Sequence, residues 1–124
     1  MEIIELLDEV KSVNVYDNGI TTKFTDNFDT YISSLKNILD DAREMPSLGV
    51  ALHRETLDAM KSGFWIEYIF DNTKSHNDML FDSLLIKVED NSYGLSIIRK
   101  YQGKYDGRCF YFDVDTPINM ADFK

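Results

Sequence analysis

Cysteine, histidine and proline are scarce in this chain, and each scarcity removes a class of function. Cys109 is the only cysteine, so no intramolecular disulfide can form and no cysteine-based zinc cluster can be assembled within one chain. There are two histidines, His53 and His76, and neither sits in an HExxH pattern. A metal centre wants three or four converging ligands, so no metal and no cofactor is expected. Two prolines and six glycines, spread along the length, leave no linker, repeat or low-complexity segment. Apolar runs are only a few residues long, as at Phe64-Trp65-Ile66, against the roughly 20 needed to cross a bilayer. The start, Met1-Glu2-Ile3-Ile4-Glu5, is acidic where a secretory signal would be basic. The expectation is a cytoplasmic protein with no membrane contact.

Cations are the other deficit. The 124 residues hold 13 Lys plus Arg against 22 Asp plus Glu, a net charge of −9. A protein that grips phosphates needs a basic stripe to release counterions, so direct binding of nucleic acid is not expected. The imbalance is uneven, with −6 on residues 1–50 and −3 on residues 51–124. What is plentiful is apolar and aromatic surface, at 44% and 13%. That is too much for a disordered acidic tail and enough for one compact domain spanning residues 1–124.

Periodicity gives the fold class. Ile3, Leu6, Leu7 and Val10 recur at helical spacing among acids, which predicts a short amphipathic helix. Val13 and Val15, then Asp17-Asn18-Gly19, then 20–24 predict a β-hairpin. Phe28, Tyr31, Ile32, Leu35, Ile38, Leu39 and Ala42 form one apolar stripe, predicting a second helix that Thr25 or Asp26 caps and Pro46 ends. An extended stretch over 48–52 and a third helix from about 54 to 62 follow. From Phe64 onward the period is near two, with strands expected at 64–70, 82–88, 93–99 and 108–114 and longer breaks at 71–81 and 101–107. Helices first and strands later predict an α+β fold. The expected arrangement is N-terminal helices and a β-hairpin packed on an antiparallel, meander-like sheet of about four strands.

No reactive constellation stands out. Cys109 lies in Arg108-Cys109-Phe110-Tyr111-Phe112, where a cysteine is a small buried hydrophobe rather than an activated thiol. No serine sits in a Gly-x-Ser-x-Gly elbow. Gly103-Lys104-Tyr105-Asp106-Gly107-Arg108 lacks the spacing of a phosphate-cradling loop and leads into a strand, so it reads as a β-connection. Glu67, Arg99 and Arg108 fall on three predicted strands and read as cross-strand pairs. The candidate binding residues are therefore surface carboxylates: Asp26, Asp29, Asp40, Asp41 and Glu44, placed on the second helix, with Glu2, Glu5, Asp8 and Glu9 on the first.

Three stretches carry a resemblance: Met45-Pro46-Ser47-Leu48-Gly49-Val50-Ala51-Leu52-His53, Lys61-Ser62-Gly63-Phe64-Trp65-Ile66-Glu67, and Gly103 to Tyr111. Together they resemble a group of uncharacterised small acidic proteins from clostridia-like Gram-positive bacteria and their mobile elements. The resemblance implies no activity and no site residue. Charge, size and the lack of a catalytic set lead to the first expectation, a non-enzymatic acidic inhibitor, anti-CRISPR-like or toxin-immunity-like, that occludes a basic surface on a protein partner. The rival is a small-molecule-binding or enzymatic domain with a helix/sheet pocket lined by Trp65, Tyr68, Arg99, Tyr105 and Arg108. A third reading is a structural subunit that self-associates through a sheet edge.

Overall fold

The two-residue period that begins at Phe64 runs further than the sequence suggests. A computed structural model describes residues 1–46 and 60–124, apart from the side chains of 106–108. In it, β4 spans Phe64–His76 and β5 spans Met79–Val88. The break expected over 71–81 is instead strand on both sides of a two-residue turn, Asn77-Asp78, with φ of 51° and 62°. β6 (Gly94–Tyr101) and β7 (Lys104–Asp113) are joined in the same way through Gln102-Gly103, at 50° and 80°. Near the N-terminus, β1 (Val10–Asp17) turns into β2 (Ile20–Phe24) through Asn18-Gly19, at 49° and 88°. Positive φ at both central positions is the type I′ geometry, whose twist matches that of paired strands.

The strands form one antiparallel sheet in the order β2-β1-β4-β5-β6-β7-β3, seven strands among the described residues. The meander of four consecutive strands is present as β4 to β7. The expected count of about four is corrected, because the hairpin joins the sheet instead of packing on it. β1 pairs with β4, setting Asn14 opposite Glu67 and Val15 opposite Ile66. At the far edge a three-residue strand, β3 (Arg43–Met45), pairs with β7.

Among the described residues two helices sit on one face. α1 (Ile3–Leu6) passes into a 3₁₀ turn at Leu7–Glu9, shorter than the expected helix because Val10 already belongs to β1. α2 (Asp29–Asp40) carries the predicted stripe; Phe28 is its N-cap and no side chain caps it, so neither Thr25 nor Asp26 does. The expected stretch over 48–52 and most of the helix from about 54 to 62 lie outside the described residues.

Alternation along the strands sorts side chains to two faces. Val13, Val15, Ile66, Tyr68, Leu84, Ile86, Ile97 and Phe110 point to the helical side and bury against Leu35 and Leu39 of α2, Ile3, Leu6 and Leu7, and Phe123 of a C-terminal 3₁₀ turn (Met120–Phe123). Each fully buried Leu or Ile there contributes about 1.5–3 kcal/mol. The second face buries a smaller cluster of Met60, Trp65, Leu85, Ile98 and Cys109, with Tyr16 and Tyr105 against it.

Candidate functional site

The acidic residues singled out by sequence divide by position. Asp29 opens α2, Asp40 ends it and Asp41 is its C-cap, whereas Asp26, expected on the helix, lies in the bend before it because the helix begins only at Asp29. Asp29 and Asp40 are separated by about 17 Å of helix at 1.5 Å per residue. All four are exposed. Among the described residues none of them has an ion-pair partner, whereas Asp8 holds Lys36, Glu9 holds Lys74 and Asp115 holds Arg43. Asp41 also lines a groove of about 410 Å³ between α2 and the C-terminal segment, together with Asn37, Asp115, Asn119 and Asp122.

Glu44 departs from the expectation. It lies on β3, not on α2, because the helix stops at Asp40. Its carboxylate is engaged: Oε1 is 2.6 Å from His76 Nε2 and Oε2 accepts from the Asn77 amide. The other ring nitrogen of His76 is 3.1 Å from the Met1 carbonyl, and the ring meets Phe110 edge-on at 4.9 Å. Since a carbonyl oxygen only accepts, Nδ1 carries a proton. His76 thus ties the end of β4 to β3 and to the N-terminal segment.

The pocket set is divided as well. Tyr68 is fully buried on the helical face and donates to the Tyr31 carbonyl at 2.8 Å. Arg99 is buried on that face too, donating to the Leu80 carbonyl at 3.1 Å and lying over Phe110. Trp65 and Tyr105 are on the opposite face, and the Arg108 side chain is outside the described residues. One pocket lined by all five is therefore corrected, because positions 65 and 68, like 99 and 105, fall on opposite sides of the pleat.

The second face instead centres on Glu67, which is 2% exposed. Its Oε1 accepts from the Asn14 amide and the Tyr16 hydroxyl, both at 3.2 Å. Its Oε2 accepts from Tyr105 at 3.1 Å and Ser83 at 3.3 Å, and the Lys100 ammonium is 3.8 Å away. Both carboxylate oxygens are thus taken up by side chains from neighbouring strands, with a cation close by. Burial, and then the Glu67 charge, push the Tyr16 hydroxyl up to about 12. The same causes raise Tyr105. Both phenols remain donors. Among the described side chains the cation beside Glu67 is thus Lys100; of the two arginines that sequence grouped with Glu67, Arg99 faces the other way and the Arg108 side chain lies outside the described residues. The signal was available in the alternation of β6, which sends 98 and 100 to one side and 99 to the other.

Next to this cluster Trp65, Lys87, Ser96, Ile98 and Tyr111 line a groove of about 490 Å³. The Lys87 ammonium lies 5.5 Å from the Trp65 ring centre, and Lys100 lies 5.1 Å from that of Tyr105, so each aromatic face already meets an internal cation. Cys109 is buried beside Ile98, as expected for an apolar role. Among the described residues no three His, Cys, Asp or Glu side chains are grouped to hold a metal, and no helix is long and apolar enough to cross a membrane. No family model, curated protein or solved structure matches this chain.

Proposed function

We propose that this protein is a non-enzymatic binding protein that presents an acidic helical face to a basic surface on a protein partner and inhibits that partner by occlusion, as an anti-CRISPR or toxin-immunity protein does. One observation supports it above the rest: Asp26, Asp29, Asp40 and Asp41 are exposed and without ion-pair partners among the described residues, in a chain of net charge −9. Unneutralised carboxylates of one sign raise the local concentration of a cationic partner and speed encounter. The groove bearing Asp41, Asp115 and Asp122 offers such a surface a place for a lysine or arginine side chain.

The test uses the protein as bait in cell extract, beside a variant with Asp40→Lys, Asp41→Lys and Asp122→Lys. Proteins retained by the first and lost by the second are expected to be basic, with an association rate that falls about tenfold or more as salt rises from 0.05 to 0.5 M. Binding indifferent to the charge reversals overturns the reading.

A further inference from the structure

We infer that the outer edge of β2 is a self-recognition surface, through which a second copy of this chain adds its own β2 in antiparallel register centred on Thr22. The inference is independent of the acidic helical face and rests on the hairpin geometry. β2 ends the sheet among the described residues, and it pairs with β1 through Asp17↔Ile20, Tyr16↔Thr21, Val15↔Thr22, Asn14↔Lys23 and Val13↔Phe24. In a two-residue hairpin the residues flanking the turn exchange both backbone hydrogen bonds, and bonded and non-bonded pairs alternate from there. Ile20, Thr22 and Phe24 therefore direct their N–H and C=O groups toward β1. Thr21 and Lys23 direct theirs outward, where among the described residues no strand receives them.

Those outward groups are self-complementary. With Thr22 of one copy opposite Thr22 of the other, Thr21 of each faces Lys23 of its partner, and the two pairs exchange four backbone hydrogen bonds about a two-fold axis. The side chains agree with the same register. Ile20, 72% exposed, falls opposite Phe24 of the second copy, whose ring is already fixed against Tyr31 at 5.4 Å. Thr22 meets Thr22, and Lys23 meets Thr21, so no like charges oppose one another and the pairs are of kinds that stabilise a ladder. Residues 20–24 contain no acid, so no carboxylate of β2 itself opposes the pairing of two copies. The opposite edge does not offer the same: β3 has three residues and is followed by Pro46, which has no N–H to donate.

Five residues of edge bury far less than the roughly 800 Å² per partner of a standard interface, and two bodies of charge −9 repel. The pairing is accordingly weak and strengthens with salt, opposite in sign to association with a basic partner.

Cysteine cross-linking reads the register directly. Thr22→Cys places two thiols at a non-hydrogen-bonded pair, the close-approach position, and is expected to form a covalent dimer under mild oxidation at least about tenfold faster than Thr21→Cys or Lys23→Cys, with the unmodified chain and its buried Cys109 as baseline. In sedimentation at about 0.5 mM, a concentration chosen for an interface well below standard size, the dimer fraction of the unmodified chain should rise with salt. It should be abolished by Thr21→Pro, which removes an outward N–H that β1 does not use, and by Thr22→Glu, which sets two carboxylates face to face without touching the backbone. Equal cross-linking at 21, 22 and 23, or a monomer at every concentration and salt level, overturns the inference.

Discussion

Glu67 shows how much one side chain can determine. Its carboxylate accepts hydrogen bonds from residues on β1, β5 and β7, so removing it leaves several buried donors without an acceptor. Glu67→Ala is expected to cost about 3–5 kcal/mol in chemical denaturation, in the range seen when one member of a buried ionic cluster is removed. Tyr16→Phe, which loses one donor, should cost about 1.5–3 kcal/mol, the usual range for a hydrogen bond to a charged group. The tyrosines also set an alkaline limit. A phenol of pKa 10 when unfolded and about 12 at Tyr16 when folded contributes stability that is complete below pH 10 and is lost as pH rises through about 12. Unfolding free energy measured from pH 9 to 12 should therefore fall across that window, and less steeply in Tyr16→Phe. Little of this cluster was legible beforehand. Glu67 within Phe64-Trp65-Ile66-Glu67-Tyr68-Ile69-Phe70 signals a buried charge, but its partners come from strands distant in sequence.

At the scale of elements, turn chemistry was the more readable part. Asn18-Gly19 announces a hairpin by composition alone, and the structure adds why the glycine is needed there. At φ 88°, a β-carbon on Gly19 would also come within 3.2 Å of the Lys61 carbonyl oxygen, and that oxygen belongs to backbone held nearby by the Asn18 to Gly63 hydrogen bonds. Gly19→Ala should lower stability by about 1–2 kcal/mol, the cost of a side chain in left-handed backbone, as read from its denaturation midpoint. Asn77-Asp78 was harder to see, because the strands around it pass through 71–76, a polar stretch whose alternation is diluted by exposed residues on both faces. β3 was not legible at all. Arg43-Glu44-Met45 follows a strong helical stripe and precedes Pro46, and only the exposed side of β7 makes it a strand.

For the whole molecule, charge and topology act on different questions. The α+β class and the placement of helices on one sheet face followed from periodicity, because a stripe and an alternating face each have to be buried. The sheet's width did not follow, since pairing of β1 with β4 joins residues about fifty positions apart and no local pattern records it. Charge said nothing about the fold, yet it sets the two opposite salt responses expected above: a steered partner is held off by salt, and a second copy is let in.

The same long-range pairing has a consequence during synthesis. β1 and β2 emerge from the ribosome well before β4, the strand that closes the inner edge of β1. At about 5–20 residues per second, the interval between Asp17 and Phe64 lasts on the order of 2–10 s. For that time the nascent hairpin carries two open edges rather than one, at the stage when neighbouring chains on the same message are nearest.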